Sequence, residues 1–453
     1  MTLGTWNVRR LWARLLVGLA APGLLSLGAA AADAPAPVAD GQQQTLPAAA
    51  PAFELDAYRA TALEKQPSLS AYRASVDAAQ AKAHGLDSLF LAGLLRHDLP
   101  TRRKQSQLGI LAAQAQLNKA EWDTVYSATR TYLSAVYASK QLQVADKALG
   151  PEKDVTTLNY LRKLANSIYM PPEGNQLRRD VRQWHVAQLD VLIQVTRGRS
   201  EEARQGVERA LAALREAIGL APDTPLTISQ EFPAYNAAVP DRATIVALAL
   251  DRRGEIAQAR VGTDVTALEI EAQKVLNGGR AETFASASDL HAQPIPQGVA
   301  NEEYRPGAIS VEMPANLVGH RAARVEQAHA LHDRAQAVLE KTGNLLTLEA
   351  EDTWLRWRED SRKAEEYAKA AAEAEKIAER IRDEFSTRLG RQQENTRPNF
   401  DDLSQARVRA TQLRLHANQA QYELLLTLAA LERITAGGFC ANFAPLAPKT
   451  NGK

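Results

Sequence analysis

The chain has 453 residues and a nearly balanced charge, with 54 Lys+Arg against 53 Asp+Glu. A protein that binds nucleic acid needs a basic excess to neutralise phosphates, so this balance argues against nucleic acid as a partner. Aromatic residues make up only 6% of the chain. Alanine, leucine, glutamate, glutamine and arginine are abundant instead, a composition that favours long helices over a compact core of mixed type.

The start of the chain has the features of an export signal. A basic region with three arginines precedes a short apolar stretch, Leu15–Leu27, and a small-residue cleavage site, Ala29–Ala32. The apolar stretch is shorter than the about 18 residues that a membrane-spanning helix needs. We therefore predict a signal peptide over residues 1–32 and a flexible Ala/Pro-rich leader over residues 33–52.

The rest of the chain offers no apolar segment long enough to cross a bilayer as a helix, so any membrane crossing would use β-strands. Cys440 is the single cysteine. It has no partner for an intramolecular disulfide, and we expect it to be a small buried residue.

Six segments carry apolar residues at steps that alternate between three and four. This spacing places the apolar side chains on one narrow stripe of a helix, as in a coiled coil. In the third segment the stripe is predicted to include Val181, Trp184 and Ile218. The fifth segment runs for about 65 residues without proline, which corresponds to a helix on the order of 100 Å long. The segments are Leu69–Leu86, Trp122–Ser139, Leu177–Ile218, Ala243–Val275, Arg321–Phe385 and Leu403–Leu424.

The chain also repeats itself at an offset of 187 residues. Ala62 and Leu69 in the first half align with Ala249 and Ile256 in the second. Each half then continues in the same order, as a helix, an interruption, a long helix, a turn and a helix. We predict a first helical repeat over 53–226, a linker over 227–240, a second repeat over 241–438 and a C-terminal tail over 439–453.

The interruptions in the two halves contain candidate strands. Glu282–Leu290 and Ala308–Met313 form a predicted strand pair in the second half, and the alternating residues of the latter suit a strand with one apolar face. In the shorter interruption of the first half, Leu89–Leu95 is the one candidate. Pro151 falls within the second long segment, where its ring and missing N–H predict a break in the helix.

Local motifs then indicate a family. Ala62-Leu63 followed by Gln66-Pro67-Ser68-Leu69 is similar to the opening stretch of the TolC family of outer-membrane efflux proteins, and Ala212–Leu226 is similar to the end of that family's first half. The resemblance covers roughly Phe53–Gly438, and the order of the motifs is more specific than any one of them. The sixth segment matches the family's closing pattern at Asp402, Ala406, Tyr422, Leu428, Leu431 and Gly437.

The resemblance implies a mainly α fold with a small β part. Long antiparallel coiled-coil helices would form two repeated halves, and short strands would contribute to a trimeric β-barrel in the outer membrane. The helices would extend into the periplasm. The implied partners are two further copies of the chain, a periplasmic adaptor protein, an inner-membrane pump and outer-membrane lipid.

The resemblance also implies a narrow aperture where the long helix pairs turn. The family places a glycine six residues before an aspartate at each turn, as Gly174 and Asp180 do in the first half. In the second half Gly390 and Asp402 correspond, with additional residues between them. A further acidic position of the family falls on Gln405, and Asp401 adds an acid beside Asp402. The alternative role for Asp401 or Asp402 is to cap the following helix.

No enzymatic signature is present in the sequence. It has no G-x-S-x-G, Walker A or G-x-G-x-x-G motif. His329 and His332 share a helix face, but no carboxylate or cysteine completes a metal site, so we expect solvated histidines and no metal or other cofactor. Trp354 and Trp357 are expected to pack between helices, and Glu359–Glu373 to form a solvated face.

Two functions remain open from the sequence. The first is the outer-membrane channel of a tripartite efflux or type I secretion system, through which solutes pass passively from the pump and adaptor to the exterior. The second is a periplasmic helical structural or interaction protein of the same descent that forms no pore. An enzyme is not expected.

Overall fold

The computed structural model describes residues 55–89, 97–169, 181–236, 238–284, 309, 311–390 and 398–444. The predicted signal peptide and leader lie outside them. The helices are α1 (Leu55–Lys65), α2 (Pro67–Ser88), α3 (Leu99–Leu149), α4 (Leu158–Tyr169), α5 (Gln183–Ala217), α6 (Arg242–Arg252), α7 (Gly254–Val275), α8 (Arg321–Gly390) and α9 (Phe400–Ile434). The strands are β1 (Ala234–Tyr235), β2 (Arg280–Glu282), β3 (Asn316–Val318) and β4 (Phe443–Ala444).

The internal repeat is visible as a matched break in each half. Gln66 separates α1 from α2, and Arg253, 187 positions later, separates α6 from α7. Both residues have an extended backbone, with ψ of 120° and 132°. Pro67 disfavours helical geometry at Gln66, the residue before it. Ala62 and Ala249, aligned by the repeat, are both buried. The fold therefore consists of two repeated halves, as the sequence predicts.

The narrow apolar stripe is confirmed in α2. Leu69, Val76 and Ala83 are buried, and most of the other residues of this helix are exposed. In α9 the seven predicted stripe residues, Leu403 to Leu424, are all buried or partly buried. One-sided burial of this kind means that each helix needs a neighbouring helix along its length.

Helix α3 has a broader buried surface than a single stripe. It packs against α1, α2, α5, α7 and α9. Ala128, Thr129, Leu133 and Val136 are therefore all buried, although they lie on more than one face of the helix. The predicted stripe, which includes Thr129 and Val136, gave only part of this surface, because residues outside it such as Ala128 and Leu133 also face neighbours.

The helix break predicted at Pro151 is confirmed. Helix α3 ends at Leu149, Gly150 has a positive φ of 25°, and α4 begins at Leu158. The Asn159 side-chain amide donates to the carbonyl oxygens of Leu149 (2.7 Å) and Gly150 (2.9 Å). These bonds satisfy carbonyls that the broken helix leaves without partners.

Helix α8 contains the fifth predicted segment and runs unbroken for 70 residues. Its Glu359–Glu373 stretch carries the expected exposed pairs, Lys363 with Glu359 and Lys369 with Glu365 at i,i+4 spacing. Trp354 packs against the core and donates from its indole nitrogen to the Pro240 carbonyl at 3.0 Å. In the described part of the chain, we find no helix of sufficient length and hydropathy to pass through a membrane.

The strand pair of the second half is shifted from its predicted positions. β2 pairs antiparallel with β3, and Ala281 lies opposite Leu317. Residues 311–313 form no strand, because Met313 packs with Phe284 onto helices α3 and α7. Leu89, Thr283, Phe284 and Ile309 are described and are not in strands. The rest of the predicted strands lies outside the described residues.

The predicted linker and C-terminal tail pair with each other. β1 of the linker is antiparallel to β4 of the tail. Between α9 and β4 the chain alternates, so that Phe439 and Ala441 are buried while Cys440 is exposed. The prediction of a buried cysteine was wrong, because the neighbouring Phe439 and Ala441 face the core and Cys440 between them is directed outward.

A buried ionic network joins α7, α8 and α9. The Arg253 guanidinium donates to the Glu255 carboxylate at 2.6 and 2.9 Å and lies 3.4 Å from Glu349. Arg433 of α9 donates to the other oxygen of Glu349 at 2.7 Å. Arg253, Glu255 and Glu349 are each less than a tenth exposed. Burial raises the pKa of Glu349, and the two arginines oppose that shift.

A second buried network fixes the segment that contains β2 and β3. The fully buried Arg324 donates to Gln273 Oε1 (3.0 Å) and to the carbonyls of Leu276 (2.7 Å) and Gly319 (2.9 Å). Arg102 of α3 pairs with the buried Glu269 of α7. The connection between α7 and α8 is thus bound to charged side chains of both halves.

We predict that Gly254→Ala destabilises the fold. A Cβ on Gly254 would lie 2.1 Å from the Ala115 backbone carbonyl, so α7 would have to move away from α3. The expected loss is about 1–3 kcal/mol of unfolding free energy. Gly206→Ala is the control, because its Cβ would meet only Ala138 at 3.9 Å. It should stabilise α5 by about 0.5–1 kcal/mol. Urea denaturation followed by circular dichroism measures both, and equal effects would contradict the close contact.

We also predict that Glu349→Ala lowers the free energy of unfolding by about 3–5 kcal/mol, because it leaves Arg253 and Arg433 buried without their shared carboxylate. Glu351→Ala, two residues along, should change stability by no more than about 0.5 kcal/mol. Its partner Arg242 is 3.8 Å away and both side chains are exposed. A Glu349→Ala protein as stable as Glu351→Ala would show that the network contributes little.

Candidate functional site

The predicted aperture residues of the second half lie at one helix turn. Gly390 ends α8, and Asp401, Asp402 and Gln405 lie in the first turns of α9. Gly174 and Asp180 of the first half fall between α4 and α5, outside the described residues. Their place at an aperture stays a prediction.

The cap of α9 is Asn399, not either aspartate. Asn399 Oδ1 accepts the Asp402 backbone N–H at 2.8 Å, and Asp402 Oδ2 accepts the Asn399 backbone N–H at 3.0 Å. This reciprocal pair is a capping box. Asp402 therefore takes part in capping from the third helical position. The spacing Asn-x-x-Asp was present in the sequence and would have identified Asn399.

The two other predicted residues interact with each other. Asp401 Oδ2 accepts a hydrogen bond from Gln405 Nε2 at 2.8 Å, one helical turn away. Gln405 is exposed, and Asp401 and Asp402 are partly exposed. Both carboxylates therefore already accept hydrogen bonds within their own helix turn, and both are still reached by solvent.

Apolar side chains beside this turn connect the two halves; we call them the turn cluster. They come from α4, from α5 and Val181 two residues before it, from the end of α8 and from the start of α9. Phe385 and Phe400 lie at its centre, edge to face with ring centroids 6.2 Å apart. The buried members are Leu158, Leu161, Ala165, Ile168, Val181, Leu189, Ile193, Phe385, Phe400 and Leu403.

His185 borders the turn cluster at the start of α5. Its ring is 8% exposed and lies edge-on to Phe400, with centroids 5.8 Å apart. Its Nδ1 accepts the backbone N–H of Arg182 at 2.9 Å. Burial lowers the pKa of His185, and the carboxylate of Asp401 opposes that shift. The sequence predicts Trp184 for the buried stripe instead, but Trp184 is 52% exposed. The spacing of apolar residues alone could not show which of the neighbouring positions 184 and 185 is buried at the start of the helix.

A groove of about 430 Å³ runs between α8 and α9 next to the capped turn. Its α8 side is mostly apolar, with Glu384 as the exception, and its α9 side is mostly polar, with Asp402 and Gln405 among the lining residues. Its lining is Ala374, Ile377, Ile381, Glu384, Pro398, Asp402, Gln405, Ala406 and Arg409.

Farther along α9, a basic groove of about 250 Å³ lies against α3. Lys140 and Lys147 of α3 and Arg407 and Arg414 of α9 line it. Arg414 pairs with Glu375 at 2.7 Å. Burial lowers the pKa of Arg407. The sequence reasoning missed this groove, because its cations come from helices far apart in the chain.

The histidines near the start of α8 do not form a metal site in the part of the chain that is described. His332 hydrogen-bonds to Thr266 Oγ1 (3.2 Å) and Gln336 Nε2 (2.9 Å), and His329 is exposed. Among the described residues, no group of three or more His, Cys, Asp or Glu side chains is placed to hold a metal ion.

Solved structures of outer-membrane channels share this architecture. The outer-membrane channel OprN matches with a TM-score of 0.62 and 15% identity, over 85% of this chain and 90% of OprN. The open state of the Neisseria gonorrhoeae MtrE outer membrane channel matches with a TM-score of 0.61 and 13% identity, over 85% of this chain and 89% of MtrE. CusC matches with a TM-score of 0.62 and 12% identity, over 85% of this chain and 92% of CusC.

The protein therefore has the fold of the TolC-type outer-membrane channels, as the sequence resemblance implied. No protein-family model matches the sequence. Nor is any curated protein similar to it in sequence. At identities of 12–15%, the architecture is shared but the residues are not.

We predict that Asn399→Ala weakens the start of α9 by about 1 kcal/mol, because two backbone N–H groups lose their partners or their geometry. Asn399→Asp keeps an acceptor oxygen and should retain most of the stability. Hydrogen exchange of the amides at 400–404 reports the local effect directly. Unchanged exchange in Asn399→Ala would mean that Asp401 or Asp402 can cap the helix in its place.

Proposed function

We propose that the protein is the outer-membrane channel component of a tripartite efflux or type I secretion system, and that it is not an enzyme. The observation that carries this proposal is the match in fold to outer-membrane channels over 85% of the chain. In this role it resides in the outer membrane and extends into the periplasm. A pump in the inner membrane supplies the driving force, and a periplasmic adaptor connects the two.

The assembly we propose is a homotrimer joined through its edge helices. Helices α5, α3, α9 and α8 form a layer in that order, because α3 packs against α5 and α9, and α9 packs against α8. On its outer side, α5 exposes Trp184, Val191 and Val195, which lie seven and four residues apart. This is the spacing of a coiled-coil seam without a partner.

The other edge of the layer offers a surface for that seam. Helix α8 exposes Leu355. Tyr367 and Ile377 are exposed as well but lie toward α9, where Tyr367 stacks on His416 and Ile377 lines the groove. Because the two edges belong to different helices, α5 of one copy would contact α8 of the next. Such a head-to-tail contact closes into a ring when the rotation per copy permits, and a ring encloses the passage that a channel needs.

The turn residues would then surround one end of the passage. Asp401 and Asp402, held by the capping box and by Gln405, would be repeated three times. The aperture role of these residues, and of Gly174, Asp180 and Gly390, is part of the proposal. The groove between α8 and α9 is where we propose that the adaptor docks.

Val191→Glu should break the trimer without unfolding the chain. The side chain is 54% exposed, so the charge is solvated in the single copy but would be buried in the seam. Val191→Thr is the matched control, because it keeps the β-branched shape. Light scattering of the detergent-purified protein should give three copies for the wild type and Val191→Thr, and one for Val191→Glu. A trimer in all three proteins would exclude this edge.

The function is tested by fractionation and conductance. The protein should be extracted from the outer membrane and produce discrete conductance steps in planar bilayers. Deletion of its gene should make cells more sensitive to toxic solutes. Val191→Glu is the control that should not conduct. Recovery in the soluble periplasmic fraction, with no conductance at any concentration, would overturn the proposal in favour of a periplasmic structural protein.

A further inference from the structure

His185 occupies an unusual position, because its ring connects the two halves of the chain. It belongs to the first turn of α5, in the first repeat. The ring stacks on Trp184 at a centroid distance of 3.6 Å and meets the edge of Phe400, the first residue of α9 in the second repeat. Phe400 in turn packs on Phe385 at the end of α8. The imidazole thus forms part of the contact between the two helical hairpins.

The hydrogen bond of His185 defines which form of the ring fits. Nδ1 accepts the Arg182 N–H at 2.9 Å, so it must offer a lone pair. A proton on Nδ1 would set two donors against each other, and the Arg182 N–H would lose its partner. The positive end of the α5 dipole, where His185 lies, also disfavours an imidazolium ion.

The charged groups around the ring have opposing effects. Asp401 of α9 favours the protonated ring, and Arg182 at the head of α5 disfavours it. The other two elements of the contact, α4 and the end of α8, present apolar side chains such as Ile168 and Phe385. Only Asp401 thus offers a counter-charge among the groups that act on His185 in the described structure, and Gln405 already hydrogen-bonds to it.

We propose that His185 is a proton-sensitive latch between the two hairpins. The neutral ring holds the first turn of α5 against Phe400. A proton taken from solvent onto Nδ1 breaks the bond to Arg182 and releases that turn from the start of α9. The latch concerns helix packing, so it holds whether or not the protein conducts solutes.

The direction of the pH effect follows from the lowered pKa of His185. The folded state binds this proton less readily than the unfolded chain, in which histidine has a pKa of about 6.5. The stabilising contribution is therefore complete above that pH and is lost as the pH falls through the lowered value. A drop from about pH 7.5 to about pH 5 spans the range in which a histidine responds.

Hydrogen exchange of the full-length protein in detergent tests the latch. After correction for the intrinsic pH dependence, amides of the segment 182–189 should exchange several-fold faster at the lower pH. His185→Asn places an oxygen near the position of Nδ1 but cannot be protonated there, so its exchange should stay within about twofold. Acid-independent exchange in the wild type, or the same acid opening in His185→Asn, would overturn the proposal.

A second variant keeps the test decisive if His185→Asn does not fold. Asp401→Asn removes the counter-charge and leaves the ring and the Asn399 cap in place. The pH at which the segment opens should shift downward, because the imidazolium ion loses the counter-charge of Asp401. An unchanged midpoint would show that His185 is not the group that titrates. Neither outcome depends on conductance, so failure of the latch is distinguishable from failure of the channel function.

Discussion

The buried carboxylate of Glu349 joins two arginines that are far apart in the chain. It lies between Arg253, at the break separating α6 from α7, and Arg433, near the end of α9. Charges buried to this extent are stable only when they are paired, so the three helices must meet in one arrangement. The close approach of Gly254 to Ala115 then sets α7 against α3 at the same level.

In the first half, the residue at the helix break is held by hydrogen bonds to backbone carbonyls instead of by charge pairs. Gln66 is the counterpart of Arg253 in the repeat, and its amide donates to the carbonyls of Glu216 and Ala217 at the end of α5. In the first half the residue at the helix break therefore bonds directly to the end of α5, whereas in the second half Arg253 is linked to the end of α9 through Glu349. A neutral amide suffices at Gln66, because helix-end carbonyls need only a donor. At Arg253 the partner is a buried carboxylate, which needs a charge.

The contacts of Gln66, Arg253 and Glu349 fix the long helices relative to the helix breaks. From there the helical hairpins extend to their turns. There the contact between the halves is apolar, with Phe385 and Phe400 at its centre and His185 at its border. In the proposed latch, one proton on His185 acts at the turn end of the fold, and the ionic network around Glu349 stays in place.

The sequence by itself determined the long helices, their narrow apolar stripes, the break at Pro151 and the twofold repeat, because these depend on local spacing and backbone chemistry. The resemblance in motifs also indicated the correct fold. Only the tertiary structure decided which side chains meet. It identified His185 rather than Trp184 as the buried residue, the pairing of β1 with β4, and the exposure of Cys440. Each of these depends on a neighbour distant in the chain or on the exact start of a helix, and a pattern of apolar spacing contains neither.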